Sequence, residues 1–410
     1  MARKTIRLLF FVPDPYPTFR HDVTTLFGKY LPRHGIQTDI VGQAAEFEDS
    51  QQSWLAGLAL IARRRRSSAT SLLEAFAHAV RVLLTMDRGR YDAIQVRDEV
   101  FTGLLALSFA RWRGQRFFYW MSFPMSEWLI HLAKMHGRRL GLTRSVFMLL
   151  KGYVGRWLIY RIVLPRVDHI FAQSDRMAEE LIARGLDKKK ITAVPMGVDM
   201  ECIDSGRIEP PRDARIRERR TIVYLGTLGR ARRIDFLLDT MNIVREEVPT
   251  ALLVLAGDAP EPADRAWLDK CIADRDLGNC VIRTGWLKGE HAWQYVCASE
   301  VAVSPLPRGF PWDVASPTKV VEYLALGVPV VANDQPDQEK VLRESAAGIC
   351  VPYEPVAFGK AIIHLLQDKG EALDTGSRGP GYVRKERSYN VISARLASVY
   401  RRLLVTGCEG

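Results

Sequence analysis

Residues 316–332 read SPTKVVEYLALGVPVVA, and they hold one complete turn of an α/β repeat. Ser316 is a favoured N-cap and Pro317 a favoured first helical residue, so the spacing predicts a helix starting there. Gly327 ends that helix, and VPVVAN at 328–333 returns the chain to a buried strand. A helix that starts after one strand and delivers the chain to the next is the unit of a parallel sheet.

The same alternation runs outward in both directions. Apolar strand-like runs occupy residues 6–12, 38–42, 93–96, 116–120, 169–174 and 191–195 in the first half. In the second half they occupy 221–226, 251–257, 280–285, 301–306, 328–333 and 348–351. Helical patterns separate them, which predicts two doubly wound sheets. A length of 410 residues also favours two hydrophobic cores over one. Proline and charge replace apolar periodicity at 202–220, so the expected division is 1–205 and 206–388, with a C-terminal helix at 389–410 that crosses back to the first domain.

Composition narrows the class. Hydrophobic residues make up 47% and charged residues 26%, as in a globular protein. Six scattered cysteines include no C-x-x-C pair and no histidine at zinc spacing, and they read as buried free thiols in a reducing compartment. The start, MARKTIRLLFFVPDPYP, imitates a signal peptide, but Arg7 interrupts the apolar run and prolines stop it, so it reads as a first strand. Without an uncharged stretch of about 20 residues, no membrane span is expected. The expectation is a cytoplasmic protein, peripheral on the inner face of a membrane.

The net charge of +11 is unevenly placed. Residues 1–200 hold 30 Lys/Arg against 18 Asp/Glu, and residues 201–410 hold 28 against 29. Between Trp128 and Val167 stand eight basic residues and no acid, among them Arg138, Arg139, Arg144 and Lys151. On a helical wheel Val146, Leu150, Tyr153, Val154, Trp157 and Leu158 form one face, with Arg144 and Lys151 opposite. One reading is a core helix with a solvated basic side; the other is a helix lying on an anionic membrane. The basic tetrad Arg63 to Arg66 adds to this surface. No nucleic-acid module accompanies the charge, so nucleic acid is not an expected partner.

Ligands of open α/β sheets sit beyond the carboxyl ends of the strands. After the run 221–226 comes a glycine-bearing turn with Gly226 and Thr227, then Arg230, Arg232 and Arg233 ahead of a helical pattern. Cations are disfavoured at a helix start, a conflict that a bound phosphate would resolve. Gly257 and Asp258 make a tight turn after 251–257, and Asp313 lies in the Pro/Gly-rich loop before Ser316. Free amides from Thr318 onward form an anion site at the helix start. Glu322 lies about 7 to 9 Å further along the helix axis, where it can grip sugar hydroxyls or pair with Lys319 at i,i+3.

Four segments together resemble the retaining glycosyltransferases of the GT-B fold, family GT4. They are LGTLGRARR at 225–233, SPTKVVEYLALGVPVVA at 316–332, RVDHIFAQSDRMAEELIARG at 166–185 and ITAVPMGVD at 191–199. The resemblance implies two Rossmann-like doubly wound parallel-sheet domains facing across a cleft, the C-terminal one binding a nucleotide sugar. It implies that Glu322 binds the ribose hydroxyls, and that the amides of Ser316 to Lys319 hold the diphosphate together with Arg232 or Arg233. Val314 stands where the family's E-x7-E motif has its first glutamate, which leaves Asp313 or the main chain to meet the sugar. Ser122 is the nearest polar residue where the family commonly has a histidine, and PDPYPTFRHD lacks the usual glycine pair.

The activity so implied moves a sugar from a UDP- or GDP-sugar to a membrane-associated or lipid-linked glycan, with no cofactor and no metal. Asp334 and Asp337 have the wrong spacing for D-x-D and are expected to cap the loop after the strand at 328–333. Arg232, Arg233, Glu322 and Ser122 are the candidate catalytic residues. The rival readings are a nucleotide-sugar 2-epimerase type isomerase and a non-catalytic nucleotide-sugar-binding relative.

Overall fold

A computed structural model describes residues 5–44, 54–62, 68–87, 89–203 and 208–405, and leaves the side chains of 68–72, 136–140 and 405 undescribed. The Arg63 to Arg66 tetrad lies outside the described residues, as do the side chains of Arg138 and Arg139. The chain divides into two compact units, one of Met1–Pro195 with Tyr389–Gly410 and the other of Met196–Ser388.

The first unit is a seven-stranded parallel sheet. Its strands are β1 (Ile6–Phe11), β2 (Ile36–Gln43), β3 (Ala59–Ala62), β4 (Ala93–Arg97), β5 (Arg116–Met121), β6 (His169–Ala172) and β7 (Ile191–Ala193). They lie in the order β3-β2-β1-β4-β5-β6-β7, so the topology reverses between β1 and β4. The run that imitates a signal peptide is β1, with Leu8, Leu9 and Phe10 fully buried. Edge strand β3 is not foreshadowed, because its four residues ALIA are half-exposed and show no alternation. The terminal helix Tyr389–Val405 packs into this unit: Tyr389, Ile392, Leu396 and Tyr400 share a core with Phe10, Phe118, Trp120 and Phe171. The buried Tyr400 hydroxyl donates to Gln95 at 2.6 Å, which anchors the helix to β4.

The second unit is a six-stranded parallel sheet of β8 (Arg220–Leu225), β9 (Ala251–Ala256), β10 (Val281–Arg283), β11 (Val301–Ser304), β12 (Val330–Asn333) and β13 (Gly348–Val351). The order β10-β9-β8-β11-β12-β13 reverses between β8 and β11. Period-two alternation sends Ile222 and Tyr224 to one core and Val223 to the other, and both faces of the sheet are covered.

The division between units falls at 195/196, ahead of the 202–220 stretch. Residues 196–203 stay with the second unit because Val198 and Ile203 join its core and the Val198 amide donates to the Arg387 carbonyl at 2.9 Å. Apolar anchoring outweighs the break in composition. The cysteines also depart from expectation: among the five described, only Cys280 is buried, and the exposed Cys202 donates to Asp199.

The 142–158 segment is a helix, but its apolar face is not core. Leu150, Val146 and Trp157 are 61%, 54% and 57% exposed, and the buried positions are Ser145, Gly152 and Gly155. The core-helix reading is therefore set aside. Among the described residues, no helix is long and apolar enough to cross a membrane.

Candidate active site

The candidate site of the second unit forms where β8 and β9 end, next to the reversal at β11. Gly226 (φ 140°) and Gly257 (φ 152°) close these strands in backbone conformations open to glycine. A Cβ on Gly257 would fall 2.0 Å from the Gly226 carbonyl oxygen, so two main chains meet with no room for a side chain. Hydrogen bonds from Gly226 to the Ala256 carbonyl and from Leu228 to the Asp258 carbonyl stitch the two turns together.

The helix over these turns is Thr318–Ala325, with Pro317 as N-cap and no side-chain cap. The expected Ser316 cap is replaced by another arrangement. The Ser316 hydroxyl donates to Asp337 at 2.7 Å and accepts from the Met196 amide at 3.0 Å. Asp337 is in turn ion-paired with the buried Arg387. Ser316 thus ties the loop to the body of the unit, and the first helical amides have no side chain capping them, as an anion site requires.

Lys319 reaches back from the first turn of this helix, and its ammonium sits 3.8 Å from the centroid of the Tyr224 ring. Desolvation lowers its pKa, with Arg232 adding to the effect, while Tyr224 and Glu322 oppose it. Burial would raise the Tyr224 hydroxyl, but Lys319 and Arg232 outweigh it and pull the group below its ordinary value. Two cations therefore converge on one buried tyrosine. Arg232 also stacks on Trp312, with 4.9 Å between the guanidinium carbon and the ring centroid.

The other two arginines of the basic turn are held elsewhere. Arg230 donates to Asp264 at 3.0 Å and to the Ala263 carbonyl at 3.1 Å. Arg233, in the left-handed region at φ 52°, is paired with Asp235 at 2.9 Å. Thr227 lies on the same turn, partly exposed. Asp258 is bound to Arg265 and Asp313 to Arg308, so both carboxylates are already neutralised within the protein. Val314 is 1% exposed, so a carboxylate there would be buried. Glu322 is partly exposed one turn beyond Lys319, between the buried Val321 and Tyr323.

Sequence reasoning missed the groups that brace this site. Gln335, fully buried, caps the helix Pro336–Ser345 through its carbonyl oxygen and donates to the Trp312 and Ala315 carbonyls at 3.0 and 2.8 Å. The expected loop caps are thus corrected: Gln335 caps, Asp337 pairs with Arg387 and Asp334 with Arg308. A lone glutamine before a proline carries no motif, so only the fold reveals it. Tyr224 and Trp312 were equally silent, since aromatic residues at strand ends and in loops are common in cores.

In the first unit the strand ends carry a different cluster. Asp98 closes β4 at φ 55° and accepts from the Ser122 amide at 2.7 Å, the Phe123 amide at 3.2 Å and the Ser122 hydroxyl. Burial raises its pKa, while Arg97 and Ser122 oppose the rise. The 3%-exposed Arg97 side chain pairs with Asp22 at 3.1 Å and with Asp14. Ser122 is thus committed to Asp98, and the loop PDPYPTFRHD spends both aspartates on Arg97. Among the membrane-side candidates, Arg144 is exposed and Lys151 partly so.

Residues 23–201 match the family "Glycosyltransferase Family 4", and residues 219–368 match "Glycosyl transferases group 1". The chain belongs to glycosyltransferase family 4, within group 1. Among curated relatives of this family-4 chain is the "GDP-mannose-dependent alpha-(1-6)-phosphatidylinositol monomannoside mannosyltransferase" of Mycobacterium tuberculosis, 27% identical over 215 residues. That match spans 51% of this chain and 55% of the relative, about half the length of each. The sucrose-phosphate synthase of Thermosynechococcus elongatus superposes with a TM-score of 0.71 at 18% identity, covering 98% of this chain and all of that one. The Anabaena protein HepE in complex with UDP does so with a TM-score of 0.67 at 14% identity, covering 96% and 99%. The two Rossmann-like parallel sheets are those of the GT-B fold.

Proposed function

We propose that this protein is a retaining glycosyltransferase that moves a sugar from a UDP- or GDP-sugar to a membrane-associated or lipid-linked glycan, working as a peripheral protein on the inner face of the cytoplasmic membrane. The observation that carries the donor assignment is the convergence of Lys319 and Arg232 on Tyr224, beside glycine-only strand ends and the uncapped start of Thr318–Ala325. This arrangement suits a diphosphate: fixed cations, helix amides and close main-chain approach. Glu322, further along the helix and partly exposed, is assigned to the ribose hydroxyls.

As the bond from the anomeric carbon to the diphosphate oxygen breaks, Lys319, Arg232 and the helix start take up the charge that develops on the leaving group. An acceptor hydroxyl then forms the new bond from the face the diphosphate leaves. Its proton passes to a leaving phosphate oxygen, and configuration is kept. Arg232 and Lys319 supply the positive charge that a metal ion supplies in other systems. Arg233, paired with Asp235, is assigned to shaping the turn, and Ser122 to holding Asp98 on the acceptor-binding unit.

The test is a panel of UDP-, GDP- and ADP-sugars screened by thermal shift, followed by donor hydrolysis with Glu322→Ala as control. Binding the folded state raises the melting temperature by mass action. A raised Tm and hydrolysis that Glu322→Ala reduces support the reading. No donor binding by any member of the panel sinks it.

A further inference from the structure

The helix Leu142–Leu158 turns the wrong face outward for a soluble protein. Its contact with the neighbouring helix Met125–Leu140 is made by small residues: a Cβ on Gly152 would lie 2.6 Å from Ile130 Cγ1 and 2.9 Å from the Ser126 carbonyl oxygen. A Cβ on Gly155 would lie 2.7 Å from Ser126 Oγ, and Ser145 completes this buried stripe. The large apolar side chains face away from it. Leu142 is 81% exposed and Phe147 63%, with Val146, Leu150, Val154 and Trp157 all between 40% and 61%. At 3.6 residues per turn these six fall within an arc of roughly 140°, opposite the stripe.

The charges frame that strip. On the same wheel Arg144 and Lys151 border one edge and Arg156 the other, and Lys134 is exposed on the neighbouring helix. No Asp or Glu occurs anywhere between Trp128 and Val167. Contiguous exposed apolar surface of this kind marks an interaction site. An apolar strip with cations on both flanks matches a bilayer interface, where the strip enters the acyl boundary and the long basic side chains reach the headgroups. A second copy of the chain fits it less well, since a two-fold contact would bring Arg144, Lys151 and Arg156 against like charge.

We propose that the exposed face of Leu142–Leu158 inserts into an anionic bilayer, with Phe147, Leu150 and Trp157 as its apolar anchors. This deepens the membrane part of the function proposed above and leaves the donor reading independent of it. The sequence wheel set Arg144 and Lys151 opposite the apolar face and left open which side would meet a membrane; the packing of Gly152 and Gly155 turns the apolar face outward, so its insertion is the main contact, with the cations at its rim.

The experiment is flotation of the full chain with phosphatidylcholine vesicles, with and without phosphatidylglycerol, together with quenching by brominated lipids. The unmodified chain should float with the anionic vesicles, and the quenched fraction should fall in Trp157→Phe. The triple variant Phe147→Ser/Leu150→Ser/Trp157→Ser should bind roughly tenfold more weakly or worse at every salt concentration. Arg144→Ala/Lys151→Ala/Arg156→Ala should retain lipid quenching but lose most of its dependence on phosphatidylglycerol and salt. A nucleotide thermal shift retained in both variants shows that they are folded. The proposal is overturned if the unmodified chain fails to float, if Trp157 is not quenched, or if the strip instead supports a dimer that the triple variant dissolves. Those outcomes leave donor hydrolysis intact, so they are distinct from failure of the transferase reading.

Discussion

The ammonium of Lys319 lies 3.8 Å from the centre of the Tyr224 ring, so a helix start and a strand end are joined through a cation and an aromatic face. Cation–π attraction of this kind is worth about 2 kcal/mol when desolvated, less than the cost of burying an ammonium. A diphosphate arriving here would complete the charge balance. Lys319→Met should therefore reduce donor hydrolysis about 100-fold or more, with Tm unchanged or raised, and Tyr224→Phe should change it far less. Because desolvation lowers the Lys319 pKa, donor binding should weaken with rising pH earlier than an ordinary lysine would allow. A pH series of nucleotide thermal shifts checks this, and Lys319→Arg should remove the trend.

The arginines of one short turn separate by partner. Arg232→Ala should cost about 10- to 100-fold in kcat/KM, since the guanidinium faces Trp312 and the Tyr224 hydroxyl's surroundings. Arg230→Ala, which frees Asp264, should lower Tm while leaving kcat/KM of the folded enzyme within a few-fold. Equal losses of activity in both variants would refute this division.

Gly257→Ala tests the meeting of β8 and β9. The added Cβ would strike the Gly226 carbonyl oxygen at 2.0 Å while φ is 152°. A loss of about 2 to 4 kcal/mol in denaturant unfolding is expected. Gly289→Ala, where a Cβ meets nothing within 4 Å, is the matched control and should stay near the original stability.

His169 gives the first unit an acid-sensitive element. Burial, helped by Arg402, lowers its pKa to about 4, and one ring nitrogen bonds the Thr192 hydroxyl at 2.8 Å. The unfolded chain binds a proton near pH 6.5 and the folded one only near 4, so this contribution is complete above pH 6.5 and is lost as pH falls toward 4. Urea midpoints measured from pH 7 to 4.5 should fall, and His169→Gln should flatten the decline. An unchanged slope would show that other groups carry it.

Much of the second unit could be read in advance because its signals are local. The run TIVYLG, the turn that follows it, and the helix–glycine–strand succession ending in VPVVAN each use short-range chemistry, and they correspond to β8, Gly226 and β12. Ser316 shows the limit of such signals. Its hydroxyl was expected on its own helix and is found on Asp337, 21 residues away in sequence. Val314 is similar: the missing carboxylate is visible in the chain, but only burial explains why an acid would be unwelcome there.

What the sequence alone determined is the succession of strands and helices, the two-sheet class and the set of polar residues at strand ends, all properties of neighbours a few positions apart. Tertiary structure decided which cations are neutralised and which face a helix hides. Arg230 and Arg233 have carboxylate partners within the fold while Lys319 meets a tyrosine ring, and Leu142–Leu158 buries glycine and exposes leucine. The physical reason is common to both. A charge or an apolar surface acquires its energy from what lies against it, and a linear pattern holds only the candidates, not the contact.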